Sequence, residues 1–449
     1  MARRGPQDNE FGSERLPPRV PRPKRLGFRA APGAYKMAPA MMPQHLNETL
    51  VIVLAIGDGK ALMPLTARRT TAALSYAGNY RVVDFALTNC MHSGLRRITV
   101  FTQFNSLSLQ NHLRDGWSIF NTDLGEFVTA VSPPINENLS IYSGQASALY
   151  QNLYFLDGSP EETVIVVSGE QIYRMDYSAV LQFHAERGAD VTIATIDQET
   201  AGREGFSSHL TLEGDEVADI RPLATPQPLA ADGTACGPLE VYVFGRQYLM
   251  DALGAAGAEG TRKLQIIDFI RERMLGHAKL AAYRFGGKYG RVTQDRYWRT
   301  LGSLDDYYDA NMDLLKLDPP LDIYQADWPI RTYQMQRPPA RTVPGRSCNE
   351  GICVNSIVAG GTVIAGGGVN RSVLGNRVYI SDGATVEDSI LFLGTTVGEG
   401  ARVRRTICDR GVAIPAWEEI GMDLKRDAER FHVTPAGVVV IPSSFRFES

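Results

Sequence analysis

Cysteine is scarce: Cys90, Cys236, Cys348, Cys353 and Cys408 are all there is in 449 residues. So few, so scattered, they exclude a disulfide scaffold and fit a reducing cytoplasm. All five read as small buried hydrophobes. No apolar run approaches the ~18 residues of a membrane span, which excludes a transmembrane helix. Neither charge sign dominates: 46 Lys and Arg against 50 Asp and Glu leave a net charge of -4, which argues against nucleic acid as a bulk partner. The seven histidines show no metal or triad spacing, and no histidine falls between residues 350 and 431. His92, His112 and His184 sit in helical patterns and read as structural. What is present, 44% hydrophobic and 21% charged residues, describes an ordinary soluble globular protein, long enough for two domains or one large domain with an appendage.

Residues 1–46 stand apart. "RRGPQDNEFGSERLPPRVPRPKRLGFR" is rich in Arg and Pro, lacks apolar periodicity, and reads as disordered. A transit peptide would be basic too, but this stretch is poor in Ser and carries Asp8, Glu10 and Glu14. Met37, Met41 and Met42 leave a later start open. From residue 50, short β-branched runs ("ETLVIVLAI", "RRITVFTQF", "ETVIVVSGE", "ADVTIATID") alternate with helical patterns ("NYRVVDFALTNCMHSG", "SLSLQNHLRDGW", "QASALYQNLYFL", "YSAVLQFHAERG"). That rhythm predicts a mostly parallel sheet covered on both faces, with ligands beyond the carboxyl ends of its strands. Two loops lie there: "LAIGDGKALMPLT", whose Gly57 and Gly59 could turn backbone N–H groups toward an anion, and "SGEQIYRMDY".

After about residue 340 the helical period vanishes. Aliphatic residues recur about every six positions (Ile357, Val363, Val373, Ile380, Val386, Leu391, Val397, Val403), with Gly, Asn or Asp at the corners. This hexapeptide repeat predicts stacked short strands in a parallel β-helix. An acyltransferase of that architecture usually needs a histidine on the coils, and these coils carry none.

The phrases "NYRVVDFALTNCMHSGLRRITVFTQFNSLSLQNHLRDGW", "SGEQIYRMDYSAVLQFHAERGADVTIA", "YWRTLGSLDDYYDANMDLL", "WPIRTY" and "RRTICDRGVAIP" resemble the ADP-glucose pyrophosphorylase (glucose-1-phosphate adenylyltransferase) family of the bacterial glycogen pathway. The resemblance runs from about residue 50 to 441. It implies a Rossmann-like α/β nucleotidyltransferase domain at 47–335 and a left-handed β-helix at 336–449. It also implies transfer of AMP from ATP to glucose-1-phosphate, by positioning and charge rather than a covalent nucleophile.

Carried over residue by residue, the resemblance implies a weakened site. The family's glycine-rich loop becomes Ala55 to Thr66, with Ile56 where backbone approaches the triphosphate, Asp58 adding negative charge, and Ala61 in place of the arginine on the leaving phosphates. Lys60 is a candidate stand-in. A lysine of the next segment becomes Thr71. Glu170 stands at a metal-side aspartate, one methylene too long for the strict geometry of Mg²⁺, and Thr300 replaces the second. Thr225 aligns with the sugar-phosphate lysine, and the family's Ser-Met-Gly-Ile-Tyr phrase becomes Pro238 to Tyr242. Gly57, Gly59, Gln103, Tyr142, Gly144 and Gly169 stand at nucleotide positions; weak nucleotide binding and retention for the backbone turn alone are both open. Arg68, Arg69, Arg81, Arg404, Arg405 and Arg430 match positions that hold sugar-phosphate, AMP or phosphate effectors. The preferred expectation is a catalytically impaired regulatory-type subunit, cytoplasmic and tetrameric, partnering a catalytic paralogue, with no resident metal. The alternative is an active adenylyltransferase using Lys60, Glu170 and Mg²⁺.

Overall fold

A computed structural model of the chain describes residues 48–134, 141–197, 205–229, 235–286 and 296–447. The expected extension at 1–46 lies outside them. The described residues belong to one compact unit.

Nine strands build the main sheet: β1 (Thr49–Ala55), β2 (Arg97–Thr102), β3 (Phe127–Val131), β4 (Thr163–Ser168), β5 (Val191–Ile196), β6 (Phe206–Glu213), β7 (Glu216–Gln227), β8 (Gly237–Gly245) and β9 (Leu280–Arg284). Their order is β3-β2-β1-β4-β8-β5-β9-β7-β6. The first four are mutually parallel, β8 runs antiparallel between β4 and β5, and β7 and β6 close the far edge as an antiparallel pair. All seven residues of β1 are buried because both faces are covered: Val51, Val53 and Ala55 enter one core, Leu50, Ile52 and Leu54 the other. A continuous apolar run, rather than alternation, is what such a strand requires.

The expected repeat folds as a parallel β-helix of three strand stacks. Val363 pairs with Tyr379, Tyr379 with Thr396 and Thr396 with Ala413, so a coil takes 16 or 17 residues, about three six-residue segments. Val373, Ile380, Val386, Leu391, Val397 and Val403 point inward as expected. Val363 does not: its neighbour Ile364 faces the core, one residue out of the expected phase. Two cysteines also depart from expectation. Cys348 and Cys353 are exposed, and Cys353 lies on Ile352–Val354, a first-coil strand exposed along its length.

The two regions share one core. Leu62, Leu65, Tyr76 and Phe85 from the α/β region and Tyr307 and Tyr308 from the Leu304–Asp313 helix pack with Val373, Ile390, Phe392, Ile407 and Val440 of the coils. Tyr308 Oη donates to the Asp388 carbonyl at 2.7 Å across the seam. Among the described residues no helix is long and apolar enough to cross a membrane.

Candidate functional site

Two groups of the singled-out residues come together, at different places. The first is the loop after β1. Gly59 has φ 68°, a left-handed conformation that favours glycine, and its carbonyl accepts from Leu62 N at 3.1 Å to open a single 3-10 turn, Lys60–Leu62. Gly57 N–H donates to Glu170 Oε1 at 3.1 Å, and the other Glu170 oxygen lies 2.3 Å from where a Cβ on Gly57 would stand. Lys60 is turned back on the loop: its N–H donates to Asp58 Oδ1 at 3.0 Å and its Nζ lies 2.7 Å from Asp58 Oδ2. These bonds hold the Asp58 carboxyl below the usual range. Ala61 is exposed and Thr71 buried.

Glu170 is pushed up to about 7, first by burial, then by the Glu240 carboxyl and by Asp58, against the favourable Gly57 bond. Glu240 sits at the glycine of the family's Ser-Met-Gly-Ile-Tyr phrase. Burial pushes its carboxyl up too, and hydrogen bonds from Ser168 and Gln145 oppose this. Thr300 is brought to this place: Trp298–Thr300 pairs antiparallel with Gln171–Tyr173, setting Thr300 opposite Gln171. A cavity of about 80 Å³ is lined in part by Gln145, Gln171, Glu240, Trp298 and Thr300, and the buried Gln171 Oε1 and Trp298 Nε1 have no partner. Thr225 is exposed on β7 and does not line it. Glu240 gives no motif signal of its own; the lost glycine was its only trace in the sequence.

The nucleotide positions are largely satisfied from within. Gln103 bonds the Tyr142 backbone with both ends of its amide, accepting from N–H and donating to the carbonyl, and the Tyr142 hydroxyl accepts from Asn152 at 2.9 Å. A Cβ on Gly144 would lie 2.6 Å from the Leu264 carbonyl oxygen, and one on Gly169 2.9 Å from Val53 Cγ1. Close packing alone accounts for both glycines. Two of the three histidines read as structural bond within the fold: His112 Nε2 meets the buried Asp84 carboxylate, and His184 Nδ1 meets Thr192 Oγ1 at 2.8 Å.

The six singled-out arginines do not form one group. Arg69 is buried at the seam and bonds both carboxylate oxygens of buried Asp409, at 2.9 and 3.0 Å, while its Nη1 has no partner. Arg81 is half-buried and donates to the Ala73 carbonyl at 3.0 Å and to Ser108 Oγ at 2.9 Å. Arg410, which carried no expected role, lies close to them. It is pushed down to about 10, first by burial, then by Arg69 and Arg81, with Asp409 opposing. Arg69 therefore holds Asp409, Arg410 lies close to both, and Arg81 adds a third guanidinium with Asp84 beside it. The other four lie elsewhere. Arg68 and Arg404 are exposed. Arg405 stacks over the Tyr308 ring at 5.3 Å and donates to the Ala436 carbonyl. Arg430 is held by Glu418 at 2.7 Å. Arg405 has φ 47°, so it sits at a coil corner, and the chain must pass through the inward strand Thr406–Cys408 before Asp409 and Arg410 reach the seam.

Residues 50–317 match the nucleotidyl transferase family model, and residues 338–441 match the model described as GlmU-like, C-terminal hexapeptide. The chain is 41% identical over 413 residues to glucose-1-phosphate adenylyltransferase 2 of Vibrio cholerae, covering 90% of this chain and 100% of the relative. It is 42% identical over 404 residues to the Vibrio parahaemolyticus protein of the same name, with the same coverage. It is 35% identical over 408 residues to glucose-1-phosphate adenylyltransferase of Koribacter versatilis, covering 89% of this chain and 96% of that one. A nucleotidyltransferase sheet joined to hexapeptide coils, with relatives matched along nearly their whole length, places this chain in the glucose-1-phosphate adenylyltransferase family.

Proposed function

We propose that this chain is a regulatory-type member of the family, with little adenylyl transfer of its own. On this reading it binds a phosphorylated effector at Arg69, Arg81 and Arg410 and acts on a catalytic paralogue in a mixed oligomer, in glycogen synthesis. The observation that carries the reading is the seam cluster, in which Arg69 holds Asp409, Arg81 and Arg410 lie beside it, and Arg69 Nη1 is unpartnered. Buried donors are nearly always paired. Arginine forks suit phosphate oxygens, and an anion here would relieve the mutual repulsion of the three cations.

The catalytic side supports the same reading. Adenylyl transfer needs cations about the triphosphate and carboxylates for Mg²⁺. Ala61 and Thr71 bring no charge, Lys60 is paired with Asp58, and Thr300 brings no carboxylate. Glu170 is turned onto Gly57, and the described residues hold no cluster of three or more His, Cys, Asp or Glu fit for a metal. The residues present do not fit Mg²⁺ in the family manner. An active enzyme built on Lys60 and Glu170 would have to break both internal contacts first.

The test is pyrophosphate release from ATP and glucose-1-phosphate with Mg²⁺, using the purified chain alone. The expected kcat lies more than tenfold below the ~10 s⁻¹ typical of enzymes. A value near 10 s⁻¹ would overturn the reading.

A further inference from the structure

We propose that Glu170 and Asp58 are built-in occupants of the anion cradle on the 57–60 loop, so that a phosphate enters only by displacing carboxylates the chain itself supplies. Backbone N–H groups that turn outward from such a loop form a ready receptor for anionic oxygens. Here two of them are already spent on carboxylate oxygens. Gly57 N–H is taken by Glu170 Oε1 at 3.1 Å, from a residue 113 positions away. Lys60 N–H is taken by Asp58 Oδ1 at 3.0 Å, from within the loop. The Glu170 carboxylate lies directly against the Gly57 backbone, where not even a Cβ would fit. A phosphate oxygen cannot share that position.

The surrounding charges hold the arrangement in place. Lys60, the cation on the loop, is neutralised by Asp58 at 2.7 Å. Glu240 is close enough to act on the Glu170 carboxyl and is bonded to Ser168 and Gln145. An incoming triphosphate or pyrophosphate therefore meets three carboxyl groups and one paired lysine. The contacts imitate a bound phosphate: two oxygens from two side chains replace two oxygens of one ligand. Glu170 is thus a specificity-determining residue, excluding phosphates from a loop whose backbone is otherwise shaped to receive them.

This inference rests on the reading of the chain as catalytically impaired, yet it is tested separately by binding. Inorganic pyrophosphate is titrated calorimetrically into the full chain at pH 8 and low salt, without divalent metal. Every protein carries Arg410→Ala, so that the seam arginines contribute little heat. Glu170→Gln removes the charge and leaves a neutral amide oxygen, a weaker acceptor for Gly57 N–H that a phosphate oxygen displaces as the side chain swings aside. It should tighten pyrophosphate about 10- to 100-fold, the gain expected when a donor is released to a charged ligand. Asp58→Asn, on the exposed loop, should give a smaller gain and decides the matter if Glu170→Gln fails to fold. Glu240→Gln removes a charge of the same sign without touching the loop, and should gain much less than Glu170→Gln. The inference is overturned if neither loop variant tightens binding, or if Glu240→Gln gains as much as Glu170→Gln, which would make the effect one of bulk charge. A high kcat in the pyrophosphate-release assay would remove the impaired-subunit reading and leave this comparison to judge Glu170 on its own.

Discussion

Two places in this chain are built from the same raw material, side chains and amides that could hold phosphate, and they end in opposite states. On the 57–60 loop the internal partners are carboxylates, Asp58 and Glu170, seated on backbone donors. At the seam three arginines, 69, 81 and 410, face two carboxylates, Asp409 on Arg69 and Asp84 beside Arg81. The loop is crowded with negative charge; the seam is short of it. On the proposed reading, the difference teaches that losing one anion site and keeping another need not involve a change of fold. Charge placement alone suffices within one preserved backbone.

The largest expected effect breaks the seam. Arg69→Ala leaves Asp409 buried with its main partner gone, and should cost about 3–5 kcal/mol in denaturant-induced unfolding. Arg404→Ala, on the exposed coil surface, should stay within about 0.5 kcal/mol. Equal losses would show that the six arginines act as one group after all.

Next comes the loop. Joint replacement Ala61→Arg, Thr71→Lys, Glu170→Asp and Thr300→Asp restores the charges the site lacks. It should raise the pyrophosphate-release rate by at least ~10²-fold over the unmodified chain, the worth of one or more preorganised charges. Ala61→Arg alone should do little, because groups that act together are not additive. Burial of Thr71 makes that replacement the hardest to accommodate. Recovery by Ala61→Arg alone would show that Glu170 and Asp58 do not block the cradle.

A pH profile gives a smaller effect. Glu170 is raised from 4.5 to about 7 in the folded chain. The folded state therefore keeps a proton that the unfolded chain loses near pH 4.5, and stability falls as pH climbs from about 4.5 to 7, then levels. Glu170→Gln should remove that fall, leaving the variant more stable than the unmodified chain above pH 7 by about 1–3 kcal/mol. Melting curves between pH 5 and 8 check this; parallel profiles would mean that burial at Glu170 costs nothing.

The fold and its weak points were legible to different degrees. Seven consecutive buried residues in β1 and the six-residue rhythm of the coils are local patterns, and local patterns survive translation into structure. The absence of charge at Ala61 and Thr300 was equally plain. What Glu170 does was hidden, because its contact with Gly57 spans 113 positions. Arg410 was hidden for a different reason. In "RRTICDRGVAIP" the first arginine pair draws attention, but only the coil register tells that Arg404 faces out and Arg405 lies over Tyr308, while Asp409 turns to Arg69. Cys353 was misjudged because composition does not say which coil is the end one.

The effect on a partner is of similar size. Co-expression with a catalytic paralogue should give a mixed oligomer whose effector affinity differs about 5- to 150-fold from the paralogue's own, the usual range of coupling. Arg410→Ala should shrink that difference without separating the chains on size exclusion. Superimposed titration curves would leave this chain no regulatory part.

The most direct test asks which of the two places holds an anion. Inorganic phosphate and a sugar bisphosphate are titrated calorimetrically into the full chain and into its Arg410→Ala variant. The account predicts binding to the unmodified chain and at least about a tenfold loss in Arg410→Ala, as expected for removal of one charged fork from a phosphate site. Undiminished binding in Arg410→Ala, or no binding of either anion to the unmodified chain at millimolar concentration, would contradict it.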